Sequence, residues 1–347
     1  MRTQCFESAK AKLDEWFIYN QTPVLDDNIE CSQCVITYYT QHAQYLSRQS
    51  TEQRNLKAWL DYFKTSKVHD IRPQKQRAFI HALVDQGYAK STIEGIFKTG
   101  VSAITFAHKN EMLLNMPPII TMKEVLSKFK FSKAPRWRPV DMSETIALFN
   151  HATTPRLMRF LMVLIATGCR PSAALELTGA QINRKAGTID LLTPDCEQTN
   201  KYRPTVRLPS FIEAIYHQGN ICAQAQVKLH PDRPLDSIRT SWNTARRNAQ
   251  LDQQVTPYSI RHSTAKWLRT CGVGAWHTSS QLGHRKTGSE ITEIYATSDP
   301  KYLSEVVEAI EAYFAIIYEN CPRIQEQEWL KNYTPRCGLV AKYKKFI

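Results

Sequence analysis

The chain of 347 residues is long enough for two domains, and its 42% hydrophobic content suffices for ordinary cores, which argues against wholesale disorder. Lys and Arg number 45 against 32 Asp and Glu, a net charge of +13, so the expected partner is a polyanion, nucleic acid before membrane. Neither export nor membrane spanning is expected: the start MRTQCFESAKAKLDEWF is too charged for a signal-peptide core, and the longest apolar run, FLMVLIATGC over 160–169, is half a spanning helix.

Residues 1–32 have no clear periodicity and read as an N-terminal extension. Residues 33–128 read as a small all-helical domain. TEQRNLKAWLDYFK puts Leu56, Trp59, Leu60 and Phe63 on one helix face. PQKQRAFIHALVDQ forms a second helix with Gly87 as its stop. A third opens at a capping box, Ser91-Thr92-Ile93-Glu94, and runs through IFKTGVSAITFAHK. Cys31 and Cys34 make a lone CxxC; Cys5 and His42 complete no recognised ligand pattern, so no metal is expected. The nine scattered cysteines read as free thiols of a reducing compartment.

Pro117-Pro118 end the helical run. A basic stretch follows, with Lys123, Lys128, Lys130, Lys133, Arg136 and Arg138 interleaved with Phe129, Phe131 and Trp137, and Pro135 and Pro139 keeping it extended. Residues 129–139 read as a linker, fit either for a phosphate backbone or for a solvated strap between domains.

Residues 140–320 read as the second domain. SETIALFN and PRLMRFLMVLIATG are helices, the latter between Pro155 and Gly168. GTIDLL and PTVRLP form a short strand pair around a polar turn. Helices resume in SIRTSWNTARRNAQ, TPYSIRHSTAKWLRT and KYLSEVVEAIEAYFAIIY. Residues 321–347 form a C-terminal tail in which Lys342, Lys344 and Lys345 touch DNA or nothing. The fold class is mainly α with one small β-sheet in the second domain.

The chemistry lies in an ordered set: Arg170, then Tyr258 and Arg261, then His284, then Tyr295. Cutting a phosphodiester without a metal requires an in-line nucleophile, cations on the non-bridging oxygens and an acid for the leaving oxygen. Arginine suits the second task because its planar fork meets two oxygens and stays charged. Arg170 sits between a helix stop at Gly168 and a restart at Pro171, close to free backbone N–H groups. Tyr258 and Arg261 are spaced i, i+3 and share a helix face. His262, directly after Arg261, is expected to pack within the fold.

The phrases TGCR, YSIRH, LGH and TEIY, in this order, resemble the tyrosine recombinase family, the phage-integrase-like enzymes. The likeness covers about 140–318 and extends less specifically over 33–128, which resembles the family's helical core-binding domain. It implies a two-domain clamp on duplex DNA, with Tyr295 as nucleophile forming a 3′-phosphotyrosine, no metal, no ATP and no cofactor. Arg170 and Arg261 would hold the phosphate, His284 and Tyr258 would assist, and Lys201, in the turn between strands, would protonate the 5′ oxygen. Lys128, Lys130, Lys133, Arg136, Arg138 and Arg203 are the candidate DNA contacts. The implied assembly is a homo-tetramer on specific double-stranded sites, cytoplasmic and associated with the nucleoid. In it the helix carrying Leu303, Val306, Val307, Ile310, Phe314 and Ile317 docks on a neighbour or packs on its own domain.

The chain departs from the family pattern in two places. Tyr258 stands where histidine is usual, and a phenol is a poor base near neutral pH. Ala173 stands where an acidic residue is frequent, and Glu176 is the expected substitute in orienting Arg170. These departures leave a catalytically lapsed DNA-binding relative as one alternative. A type IB topoisomerase-like enzyme is another.

Overall fold

The computed structural model describes residues 29–131, 137–194, 196–198, 201–217, 237–284 and 299–343. Tyr295, Lys133, Arg136, Lys344 and Lys345 lie outside these residues. The chain divides into two compact units, Met1–Lys133 and Ala134–Ile347.

The first unit is helical, as its periodicity predicts: α1 (Cys31–Gln41), α2 (Gln49–Phe63), α3 (Pro73–Asp85), α4 (Lys90–Lys109) and the short α5 (Met122–Leu126). Leu56, Trp59 and Phe63 of α2 meet Phe79 and Phe97 in a core where Trp59 packs against three phenylalanines. The expected capping box of α4 does not form. The helix starts two residues earlier, at Lys90, with Ala89 as an N-cap that provides no side-chain bond.

The CxxC is a packing element. Both thiols are buried at the start of α1, the Trp59 indole N–H donates to Cys31 Sγ at 3.1 Å, and burial pushes Cys31 up to about 11 and Cys34 up to about 12. Thiols so far from thiolate are inert. The basic stretch also departs from the extended reading. Met122–Leu126 is helical with Val125 and Leu126 in the core, and Phe129 and Phe131 pack against that core. Lys128 and Lys130 remain exposed at this end.

The second unit is built around α7 (Pro155–Thr167), preceded by α6 (Met142–Asn150). Asp141 and Glu144 form a full capping box on α6, and Thr154 caps α7, which ends at Gly168 with φ 61°. Then come α8 (Pro171–Glu176), a three-stranded antiparallel sheet, α9 (Ser210–His217), α10 (Arg239–Asn248), α11 (Pro257–Thr270) and α12 (Ala275–Leu282). The expected strand pair is β2 (Thr188–Asp190) and β3 (Thr205–Arg207), and a short β1 (Ile182–Asn183) adds a third strand against β2. Ile189 and Val206 face each other and are buried.

The last elements decide one open alternative and correct one expectation. Helix α13 (Ser304–Glu319) lies inside its own unit. Leu303, Val306, Ile310, Phe314 and Ile317 are at most 2% exposed, so this stripe is the core and not a free docking face. The tail is structured as well: α14 (Pro322–Gln325) and α15 (Cys337–Tyr343) bring Ile324, Leu330, Tyr333, Val340 and Tyr343 into the same core. Phe211 stacks on Phe314 at 3.9 Å, with Tyr333 edge-on to Phe314, and Lys342 pairs with Glu308 at 2.8 Å. No described helix is long and apolar enough to cross a membrane.

Candidate active site

Helix α7 aims its C-terminal end at the site. The carbonyls of its last turn need partners from outside the helix, and the buried Gln281 side chain of α12 donates to the Thr167 and Ala166 carbonyls. Gly168 then turns in the left-handed region, where a side chain would be strained, and Arg170 follows as the residue before α8. Two residues after Gln281, at the C-cap of α12, Gly283 also takes a positive φ, 64°. A Cβ there would stand 2.7 Å from the Tyr202 carbonyl and from Pro204. The absence of that carbon lets the L-G-H turn press against the segment that leads into β3.

Arg261 projects from α11 into this junction and is 6% exposed. Its Nη1 donates to the Gly168 carbonyl at 2.6 Å, and its Nη2 donates to the Leu282 carbonyl at 2.8 Å and meets His284 Nε2 at 3.0 Å. Burial, then the neighbouring Arg170, lowers its pKa to about 10, still charged at neutral pH. Arg170 donates Nη1 to the Tyr202 carbonyl at 3.0 Å. Among the described residues, neither guanidinium is paired with a carboxylate. The His284 imidazole is held below its ordinary value by burial, by Arg261 and Arg170, and by His262.

Arg170, Lys201, Arg203 and Arg261 line one cavity of about 150 Å³ with Ser172, Ala173 and the Tyr202–Pro204 backbone. Of the six residues expected to do the chemistry, Arg170, Lys201, Arg261 and His284 therefore converge. Tyr258, three residues before Arg261, is 42% exposed, and Tyr295 lies outside the described residues. Among the described residues, no group of three or more His, Cys, Asp or Glu is arranged to hold a metal ion.

Several expected contacts are spent otherwise. Glu176 does not orient Arg170; it pairs with Arg203 at 2.6 Å, with Thr193 bridging. Arg203 thus reaches the cavity as a neutralised cation. Arg138 is no free phosphate contact either: its fork grips both Glu144 oxygens, and Nε binds Asp252 at 2.7 Å. The guanidinium holds both carboxyls below their usual range. Val140 exchanges two hydrogen bonds with the Ser263 hydroxyl, and Trp137 lies flat on His262 at 3.7 Å and 8°. The segment 137–140 is thereby stapled to α11 beside Arg261. Sequence reasoning expected His262 to pack but could not name Trp137, 125 residues away, as its partner. It also missed the carbonyls of Gly168, Tyr202 and Leu282, since no residue type marks a backbone acceptor.

With this geometry in hand, residues 140–301 match the model of the phage integrase family. Residues 140–301 belong to that family of tyrosine recombinases. Arg170, Lys201, Arg261 and His284 all fall inside the integrase domain. Across most of the chain the fold is similar to a lambda integrase dimer bound to a COC′ core site, with TM-score 0.59, 14% identity and coverage of 85% of this chain and 86% of that one. It is also similar to the Tn1549 transposon integrase in complex with a circular-intermediate DNA, with TM-score 0.60, 13% identity and coverage of 77% and 94%. A lambda integrase tetramer on a Holliday junction gives TM-score 0.56 at 16% identity, covering 81% and 87%. No curated protein matches the sequence. At such identities the likeness is one of fold, and the integrase domain's chemistry has to be argued from its own side chains.

Proposed function

We propose that the chain is a site-specific DNA recombinase that cleaves and rejoins strands through a 3′-phosphotyrosine, using neither metal nor ATP. The observation that carries this reading is the pair of guanidiniums, Arg170 and Arg261, lining a small cavity with Lys201 and lacking a carboxylate among the described residues. A buried cation opposed by another cation is costly until an anion arrives. A phosphodiester supplies that anion, and among the described residues Arg170 spends one of its five N–H donors, on the Tyr202 carbonyl.

In this reading Tyr295 attacks the scissile phosphorus in line. Arg170 and Arg261 take up charge on the non-bridging oxygens, and Lys201 gives a proton to the departing 5′ oxygen. Tyr258 contributes a hydrogen bond at the exposed mouth. The bond energy stays in the phosphotyrosine link, so a 5′ hydroxyl from a partner strand reverses the step and exchanges strands. Lys128 and Lys130, with Lys133 and Arg136, are the backbone contacts of this reading, and the protein works as a tetramer on paired double-stranded sites. The lambda and Tn1549 structures, solved with DNA, support the partner class.

The test is a nicked suicide duplex carrying the cognate site, incubated in EDTA with wild type and with Tyr295→Phe. An SDS-resistant adduct present in wild type and absent from the variant is expected. Tight binding with no adduct would instead favour a lapsed DNA-binding relative, the reading to which the Tyr258 departure points. Relaxation of supercoils by a monomer would point to a type IB topoisomerase-like activity.

A further inference from the structure

Arg261 joins two stretches of chain, the end of α7 and the end of α12, through the Gly168 and Leu282 carbonyls at 2.6 and 2.8 Å. A second bridge joins the same stretches one residue earlier on each. Gln281, 1% exposed, donates Nε2 to the Thr167 carbonyl at 3.0 Å and reaches the Ala166 carbonyl at 3.4 Å. Carbonyls only accept, so the amide nitrogen must face them. The two bridges differ in charge: one is a neutral amide, the other a guanidinium that also faces Arg170.

More than one contact hangs on the end of α12. Leu282 offers its carbonyl to Arg261, and its side chain stands 2.9 Å from where a Gly168 Cβ would be. Gly283 lies against the Tyr202 carbonyl, which accepts from Arg170 Nη1 at 3.0 Å. Both arginines of the cavity therefore take their aim from the seating of α12 against α7, and Gln281 bonds across that seam.

Gln76 of α3 makes a useful contrast. It is fully buried and also bridges two carbonyls, those of Ile71 and Pro118, both at 2.7 Å, while its Oε1 accepts from the Ile120 amide at 3.0 Å. That amide is satisfied at both ends, as a structural staple should be. Gln281 Oε1 has no partner among the described residues. An unpaired buried acceptor detracts from stability, so the donor end alone is what this position uses.

We infer that Gln281 is a positioning residue that aims Arg261 at the scissile phosphate, an inference that rests on the recombinase reading. It fixes the spacing of the Gly168 and Leu282 carbonyls, and so the plane of the guanidinium, while being too buried to touch DNA. Arg261 commits one N–H of Nη1 and both of Nη2 to Gly168, Leu282 and His284. Among the described residues this leaves Nε and the second Nη1 N–H for phosphate oxygens. Without the amide the two carbonyls are free to part, and those donors lose their direction.

The experiment measures single-turnover adduct formation on the nicked suicide duplex at saturating protein, at a temperature where every variant is folded. Urea stability, DNA affinity and binding of inorganic phosphate accompany it. The proteins are wild type, Gln281→Met, Arg261→Lys, the double variant and Gln76→Met. Gln281→Met is expected to slow adduct formation by about 10- to 10²-fold and to weaken phosphate binding. DNA affinity, spread over many backbone contacts, should barely change. The double variant is expected to be no slower than Arg261→Lys, because the geometry Gln281 provides then has no fork to serve. Gln76→Met is expected to lose stability and keep the wild-type rate. Gln281→Leu takes the place of the methionine variant if that one does not fold. A wild-type rate for Gln281→Met, a double variant slowed by the product of the two single effects, or a Gln76→Met variant equally slow overturns the proposal. Wild type forming no adduct overturns the recombinase reading instead. Phosphate binding then decides the positioning role by itself: weakened by Gln281→Met it stands, and unchanged it falls.

Discussion

Glu52 in the first unit and Arg261 in the second are both charged side chains buried on helices, and they are compensated in opposite ways. Glu52 of α2, 1% exposed, is met by Arg48 one turn earlier at 2.7 Å. Arg261 of α11, 6% exposed, is met by two carbonyls and an imidazole, and faces a second arginine. A charge met by an opposite charge one turn away serves the fold. A charge held only by dipoles is oriented but not neutralised, and it is a standing demand for an anion. Glu311 in the second unit is also held by dipoles, the amide and hydroxyl of Ser210 at the start of α9, but burial raises its pKa, and a carboxylate can shed its charge by taking up a proton where a guanidinium cannot.

The largest test of this contrast is Arg261→Lys. An ammonium cannot hold Gly168, Leu282 and His284 in one plane, so adduct formation is expected to fall by about 10²- to 10³-fold, with DNA affinity changing far less. A smaller, purely structural effect is expected from Gly283→Ala. The methyl would meet the Tyr202 carbonyl at 2.7 Å from a left-handed backbone, costing about 2 kcal/mol in urea unfolding. Glu52→Gln should cost about 1 kcal/mol of stability and leave adduct formation unchanged; a lost adduct would break the comparison.

Inorganic phosphate or sulfate should stabilise wild type by about 1.4 kcal/mol at ten times Kd, read as a higher Tm, and should leave Arg170→Ala unchanged. The gentlest prediction is in pH. His262 and His284 both sit below their ordinary value in the folded chain, so the unfolded chain binds protons more readily. Stability is therefore expected to decline as pH falls through about 6.5, and His262→Gln/His284→Gln should flatten that slope. A second decline should come lower, as Asp141, Glu144 and Asp252, all depressed, take up protons.

What the sequence made legible was short-range. The helical first unit, the α7 stop at Gly168, the β2–β3 turn and the four phrases could be read because period, cap and motif act within a few residues. Arg170, Arg261 and His284 were nameable for that reason, and the fold brought them together. Arg138 has one partner, Glu144, six positions away and another, Asp252, 114 away, and Arg203 is met by Glu176, 27 away. Composition shows a cation but not whether it is already paired. The stripe of α13 was ambiguous on similar grounds: an apolar face specifies burial, not whose core will bury it.

That last point bears on how the protein is made. Leu330, Tyr333, Val340 and Tyr343 close the core around α13, and α13 packs on the helices carrying Gly168 and Arg261. During synthesis the Arg–Arg junction therefore lacks its supporting wall until residue 343 has emerged. Removing residues 330–343 is therefore expected to expose the apolar face of α13 and to loosen the helices that carry Gly168 and Arg261.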